Sequence, residues 1–571
     1  MFAKDEIRFE FEGREIRCPA GVSIAAALAG AGEYGLRTVD SGERRGVFCG
    51  MGVCQECNVE VAGHGRVRAC MTPASDSMQV HRAVRLASPV TPRQDASQQD
   101  TATVLTPEVL IIGGGAAGLT AAALLAEHGM DVVLLDERKV AGGQYYKQPV
   151  TGDRLHRSLV DDRQILDGRE LVERASTSGA TLVGEAEVWG AFAPGEFIAV
   201  HDGASVTYRP RHTIIATGAF ERGLPLPGWT LPGVMTSGAA QTMLKSYGEL
   251  PGRRVLVAGN GPLNLQISLE LQRAGAEVVA VTELAPPPYR KPGSALAMFR
   301  HDPGLSLLGI RIVTSLKSRR IPLLFGHGLE SVEETPEGLR AWVGRFDGRR
   351  VSRQRSFDVE AVCMGFGFSP SNEILRNLGC RHEFDPARGQ LSVVRSPDCE
   401  TGVPGIYAIG DCCGLGGAPA AREEGIIAAA AIIRSMSGEL PPAMADMVQA
   451  ARKRLRSHRA FQAALWHVFG APLLQSELAN EETTVCRCES VRLGDVLRAI
   501  NAGDQSIGSI KRRTRLGMGA CQGRYCAPIA ADILAGDSNK AIGEYSFFAP
   551  RVPIKPVRIC DIAAAGCPGP D

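Results

Sequence analysis

Charge of one sign is what this sequence most lacks. Its 571 residues carry 63 Lys and Arg against 62 Asp and Glu, a formal net charge of +1. Nothing in that balance points to nucleic acid or to an anionic membrane surface. Long apolar runs are missing too: none approaches the ~18 residues that read as a membrane-spanning helix. The opening stretch, MFAKDEIRFEFEG, alternates like a strand and has no apolar core of a signal peptide. The expected location is therefore the cytoplasm, with no transmembrane segment and no nucleic-acid partner. What is present describes ordinary globular domains, 44% hydrophobic and 22% charged. At ~150 residues per domain, three to four domains are expected. Sixteen cysteines are many for such a chain, and eight of them fall into two tight groups. That grouping points to metal or iron–sulfur ligation rather than to disulfides.

The central stretch is Val109–Arg138, VLIIGGGAAGLTAAALLAEHGMDVVLLDER. An apolar run breaks into Gly113, Gly115 and Gly118, a small-residue helix follows, and a second apolar run ends in Asp136. Strand, tight glycine turn, helix, strand and acid make a dinucleotide-binding βαβ unit. The first glycine allows the turn, the second admits a pyrophosphate to the backbone, and the third lets helix pack on strand. The phosphates then meet the helix N-terminus, where unpaired N–H groups favour an anion. Asp136 stands where a carboxylate accepts hydrogen bonds from a ribose.

Further along, Gly143 and Gln144 form a Gly-Gly-Gln turn of the kind that follows this acid in FAD-binding oxidoreductases. Thr213–Ala219, with Thr217 and Gly218, resembles the ATG motif of such domains. Gly405–Gly414 (GIYAIGDCCG) resembles the motif whose acid, here Asp411, contacts the ribityl and diphosphate side of FAD. A second βαβ candidate spans Arg254–Glu283, with Gly259 and Gly261 in its turn and Glu283 at its end. Asn264 stands where the third glycine is expected, which sets NAD(P)H binding in doubt. The alternatives are a retained adenine-nucleotide pocket and a vestigial one. No closely spaced cysteine pair follows Gly143, as a disulfide reductase would need. The adjacent Cys412 and Cys413 suit small-residue packing better than redox work.

The first cysteine group is Cys49, Cys54 and Cys57 with Cys70 after twelve intervening residues, a C-x4-C-x2-C…C spacing of the plant type for a 2Fe–2S cluster. The second is Cys486 and Cys488, then Cys521 and Cys526 after 32 residues, four thiolates on two loops. Zinc would also accept four thiolates in a tetrahedral site. Between residues 87 and 107 the chain is polar and has no apolar period, which reads as a flexible linker.

The first group resembles a β-grasp ferredoxin domain and the second a bacterioferritin-associated-ferredoxin-like 2Fe–2S domain. Together with the nucleotide motifs, nearly the whole chain resembles the iron–sulfur/flavin subunits of opine oxidase, hydrogen cyanide synthase and hydroxyproline dehydrogenase. The sarcosine oxidase α chain shares the plan. The resemblance implies an α/β fold: a two-dinucleotide-binding-domain flavoprotein of disulfide-reductase type, flanked by an N-terminal and a C-terminal 2Fe–2S domain. Expected boundaries are 1–86 for the first cluster domain and 87–106 for the linker. The FAD-binding domain takes 107–228 and 355–440, with the second nucleotide domain, 229–354, inserted. A helical connector (441–478), the second cluster domain (479–540) and an extended tail (541–571) complete the chain. Implied cofactors are FAD, two 2Fe–2S clusters and an adenine nucleotide in the second site. The implied partner is a flavoprotein subunit resembling D-amino-acid oxidase, which holds the substrate. This chain would then pass electrons to a quinone or cytochrome, with peripheral contact to a respiratory chain. Two further readings stay open: a self-contained NAD(P)H-dependent reductase and a non-catalytic scaffold. The two clusters are expected on either side of the flavin domain, as a relay.

Overall fold

The computed structural model describes residues 6–84, 103–150 and 156–565. Residues 6–84 form a five-stranded sheet in the order Arg14–Pro19, Glu6–Phe11, Gln79–Arg82, Asn58–Val61, Gly65–Arg68. Ser23 caps the helix Ile24–Gly30 by accepting from Ala26 N at 3.3 Å, and that helix is buried along almost its whole length.

The first nucleotide unit is a five-stranded sheet ordered Thr181–Val183, Val132–Leu135, Val109–Ile112, His212–Ile215, Ile406–Ala408, with every neighbouring pair parallel. Val109–Ile112 is buried at every position because a parallel sheet is covered on both faces. On one face lies the helix Ala116–Glu127, whose small residues let the helix Gly417–Ser437 pack closely on it. The second unit repeats the plan: Val234–Thr236, Ala361–Gly365, Arg254–Gly259, Glu277–Glu283, Leu323–Phe325, again all parallel. In both sheets the strand before the glycine turn is central, with the acid-bearing strand beside it.

Two boundaries move. Ala361–Gly365 pairs with Arg254–Gly259, so the chain returns to the first unit after Gly365 rather than at residue 355. AVCMG is an apolar parallel strand equivalent to HTII in the first sheet, and only the second sheet has a vacancy beside it. Thr103–Leu105, placed in the linker by its polar surroundings, is a strand parallel to Ala204–Tyr208; Thr-Val-Leu has the β-branched content a sheet edge accepts. Residues 87–102 of the linker lie outside the described residues.

The helix Pro442–Val468 leads to the last unit, built from a short hairpin (Thr484–Cys486, Val491–Arg492) and the helices Leu493–Asn501, Ile507–Thr514 and Cys526–Ser538. The tail is extended only in part: Ile559–Ala564 is helical, and Asp561 O accepts from Ser205 Oγ at 2.6 Å. Among the described residues no helix is long and apolar enough to cross a membrane.

Candidate functional site: two nucleotide turns, two cysteine groups, one cavity

The first turn is shaped by close backbone approach. A Cβ on Gly113 (φ +113°) would lie 2.3 Å from Ala216 O, and one on Gly118 would lie 2.0 Å from Gly113 O. Gly115 is different: its Cβ would meet nothing nearer than Gly143 Cα at 3.9 Å. It opens on a cavity of about 480 Å³ and starts the helix Ala116–Glu127 with no side chain over the end. The bare N–H groups and the helix dipole make that end a seat for phosphate. Asp136 accepts from Gly114 N at 2.6 Å and Arg138 N at 2.7 Å. Burial raises its pKa, and those two N–H groups work against the rise.

The same cavity gathers Gly143, Gln144, Thr217, Gly218 and Asp411, along with Gly261 of the second turn and Cys49 of the first cysteine group. Asp411 Oδ1 accepts from Gly416 N at 2.8 Å and Gly417 N at 2.7 Å. Gly118, Gly259 and Glu283 stand behind the wall rather than in it. The second turn mirrors the first in its acid. Glu283 accepts from Gly261 N at 2.8 Å and Ala285 N at 2.9 Å, as Asp136 does from Gly114 and Arg138. Asn260 Nδ2 donates to Glu283 and to Phe469 O. Burial pushes Glu283 up to about 7 against these donors.

Asn264 is 2% exposed and fills the place of the missing glycine. It accepts from Ser237 Oγ at 2.7 Å and donates to Gly365 O at 2.8 Å. The close approach has moved to the neighbouring strand, where a Cβ on Gly365 would fall 2.1 Å from Asn264 Oδ1. The turn is therefore differently filled, and its backbone still opens on the cavity at Gly261.

The first cysteine group is fully buried, and its thiols face each other as Cys49 with Cys54 and Cys57 with Cys70. Backbone N–H groups point at sulfur: Met51 and Cys54 at Cys49 (3.5 and 3.4 Å), Glu56 at Cys54 (3.4 Å), Cys70 at Cys57 (3.4 Å). Burial alone would raise the Cys49 pKa, but the Cys54 thiol and three backbone N–H donors hold it below its ordinary value. In the second group Cys488 Sγ lies 3.4 Å from Cys521 Sγ, and Cys486 faces both Cys488 and Cys526. Among the described residues no three His, Cys, Asp or Glu side chains are placed to hold a metal ion. In the first group, four buried thiols in pairs with N–H donors aimed at sulfur suit the two irons of a cluster better than one tetrahedral ion.

The two groups do not flank the nucleotide units on opposite sides. They abut. Phe48 touches Tyr525 and Trp229, each at 5.5 Å between ring centres. Phe48 immediately precedes Cys49 in the chain, and Tyr525 immediately precedes Cys526. Glu56 binds Arg487 (3.2 Å) and Arg37 (2.5 Å) in a buried ion cluster. A separation of 431 residues gave the sequence no sign of this contact.

Several cavity residues carry no motif. Lys147 donates to Gln144 O (2.6 Å) and Gln241 Oε1 (3.0 Å), and burial drives it down to about 7. Glu221 accepts from Gly238 N at 2.6 Å and keeps its other oxygen without a partner; burial raises it to about 7. Both line the cavity, so a buried base and a buried acid near neutrality face whatever fills it. The one available signal was Lys147 three residues past the Gly-Gly-Gln turn. Cys412 and Cys413 lie 3.8 Å apart outside the cavity lining, with Cys412 donating to backbone carbonyls.

Residues 107–425 match the pyridine nucleotide-disulphide oxidoreductase family, residues 4–85 a 2Fe–2S iron–sulfur cluster binding domain, and residues 480–566 the sarcosine oxidase A3 domain. An opine oxidase subunit of Rhizobium meliloti (strain 1021) is 31% identical over 80% of this chain and 98% of its own length. Hydrogen cyanide synthase subunit HcnB of Pseudomonas aeruginosa is 32% identical over 78% and 96%. The sarcosine oxidase alpha chain of Corynebacterium sp. (strain P-1) is 26% identical over 81% of this chain and 46% of its own. The crystal structure of L-proline dehydrogenase from P. horikoshii shares the fold, with a TM-score of 0.71 at 20% identity, covering 98% of this chain and 97% of that one. With its paired nucleotide units and its two abutting cysteine groups, the chain is an FAD-dependent oxidoreductase that belongs to the pyridine nucleotide-disulphide oxidoreductase family, alongside its opine oxidase and hydrogen cyanide synthase relatives.

Proposed function

We propose that this chain is the electron-transfer subunit of a heteromeric dehydrogenase that oxidises the C–N bond of an amino acid or an opine-like secondary amine. The observation that carries this reading is the lining of the cavity: the FAD motifs and Cys49 share one space, with no histidine among the described lining residues. Gly115, Gly143 and the start of the helix Ala116–Glu127 would seat the pyrophosphate, Asp136 the ribose, and Asp411 the ribityl side. Cys49, Cys54, Cys57 and Cys70 would hold one 2Fe–2S cluster, and Cys486, Cys488, Cys521 and Cys526 a second. Bound FAD would supply two-electron acceptance with one-electron release, which protein side chains cannot. Lys147 and Glu221 would hold and return the accompanying proton inside the cavity.

The substrate belongs to a partner flavoprotein resembling D-amino-acid oxidase. Opine oxidase, hydrogen cyanide synthase and sarcosine oxidase relatives are all named as subunits, which supports a hetero-oligomer. The electrons leave for a quinone or cytochrome at a respiratory chain, contacted peripherally from the cytoplasm. At the second turn the Glu283 geometry favours a retained adenine nucleotide, covered by Trp466 and Phe469 at the end of the helix Pro442–Val468 and the residue after it. That cover, with Asn260 bound to Phe469 O, supports a resident nucleotide over an exchanging NADH. Stopped-flow spectra test the reading. The isolated holoprotein should bleach slowly with NADH, and with an amino acid only when the partner is added. Fast bleaching of the isolated chain by either would refute it.

A further inference from the structure

Glu56 sits between Cys54 and Cys57, and Arg487 sits between Cys486 and Cys488. Each is the charged residue inside a cysteine motif, and the two motifs meet through them. Arg487 Nε donates to Glu56 Oε2 at 3.2 Å, and both side chains are buried, at 3% and 0% exposure. Arg37 donates to Glu56 Oε1 at 2.5 Å and to Arg487 O at 3.4 Å. The Arg487 guanidinium lies over Phe48 (4.0 Å) and Trp229 (4.6 Å), and its NH1 donates to Trp229 O at 2.7 Å. Cys49, Cys54, Cys521 and Tyr525 fall in one packed cluster with these rings.

A buried charge pair is poor glue, because desolvation cancels most of its attraction. Its value is positional: it fixes one motif against the other in a single register. We propose that the Glu56–Arg487 pair joins the two cysteine groups into one electron-exchange unit, in which the first group takes electrons from the cavity and the second delivers them to the surface. The inference rests on the ligand assignments proposed above. The direction follows from placement. Cys49 lines the cavity, whereas Cys488 is the one member of the eight that is not fully buried. Cys488 opens with Arg37, Gln55, Arg66 and Glu489 on a separate small surface pocket. One electron leaves the first group and one enters the second; no proton or other reactant is required. Glu56 adds a negative charge beside both groups, so it makes each harder to reduce.

Dithionite-reduced holoprotein tests this by EPR, alongside Cys49→Ser and Cys526→Ser proteins that each retain one group. The expected result is a two-group spectrum broader and faster-relaxing than the sum of the single-group spectra. Glu56→Gln should keep all the iron and raise the midpoint potentials of both groups, and Glu56→Asp should restore them. The potential shifts report that the Glu56 charge lies beside both groups, and the broadened two-group spectrum reports that the groups are coupled. Additive spectra, or a Glu56→Gln shift in only one group, would overturn the proposal while the ligand assignment stands. Iron content unchanged in both serine variants would instead overturn the ligand assignment, and this inference with it.

Discussion

Replacing Gly115 by alanine separates cofactor binding from folding at a single atom. In the protein without flavin the new methyl has room: its nearest neighbour is Gly143 Cα at 3.9 Å, an ordinary contact. The backbone there is extended, with φ −85° and ψ −170°, so an L side chain brings no strain. Trading glycine for alanine at a helix N-cap costs under about 1 kcal/mol. Gly118→Ala is the contrasting change, since its Cβ would lie 2.0 Å from Gly113 O and would drive the helix off its strand. Overpacking of that kind costs about 1–3 kcal/mol or more. Binding reverses the order of severity. A phosphate oxygen must come within about 2.9 Å of the turn's N–H groups, in the space the new methyl would take. Losing one or two hydrogen bonds to a charged group removes about 2–5 kcal/mol, or a ~30- to ~5,000-fold fall in FAD affinity. Urea unfolding of apoprotein, followed by FAD per chain after reconstitution, reads both quantities. Gly115→Ala should unfold near the wild type and hold little FAD, and Gly118→Ala should unfold early. Full flavin occupancy in Gly115→Ala would mean that the pyrophosphate lies elsewhere.

Serine in place of Cys54 should remove about two irons per chain, the content of one 2Fe–2S cluster, and leave the Cys486 group's EPR signal in place; iron analysis beside the spectrum decides it. Glu283 has a folded pKa of about 7 against an ordinary 4.5, because burial disfavours its charge. The folded state then holds a proton that the unfolded state has released, so stability falls as pH rises from about 4.5 to about 7 and is level above. At ~1.4 kcal/mol per pH unit this is at most about 3 kcal/mol, and Glu283→Gln apoprotein should lack most of it when urea midpoints at pH 5 and pH 8 are compared. Lys555, paired with Glu137 at the ribose end of the cavity, should slow FAD release. Lys555→Ala, or a chain stopped after Pro550, should lose flavin faster on dilution, and unchanged release would remove the tail from the site.

The parts of the site that could be read in the sequence are those where backbone meets backbone. Gly113 and Gly118 admit no side chain, so the turn declares itself, and Asp136 follows at a fixed distance along the next strand. The cysteine groups were visible for a similar reason, since their spacing is local. What was hidden depends on contacts between remote segments. Glu56 and Arg487 look like surface charges among polar neighbours, and only the fold shows them buried against each other. Glu221 carries no spacing signal and Lys147 only its place three residues past the Gly-Gly-Gln turn, because their roles come from the cavity. Asn264 was readable as a departure, yet its compensation by Gly365 required the neighbouring strand to be known. The boundary set at 355 failed in the same way: one apolar strand fits either of two parallel sheets until its partner is seen.

The segment Ile554–Pro556 lines the same cavity as Gly113–Ala117. It is held there by Ile554 N on Trp189 O at 2.9 Å, by Arg524 on Ile554 O at 3.1 Å and by Lys555 on Glu137. During synthesis the glycine turn leaves the ribosome more than 400 residues before that segment, at ~5–20 residues per second tens of seconds earlier. For that interval the nucleotide seat exists without its last wall. Flavin retention by this segment would then begin only once it has been made, as the proposed slower release with the intact tail implies. The wall nearest the C-terminus is thus the last part of the cavity to be made.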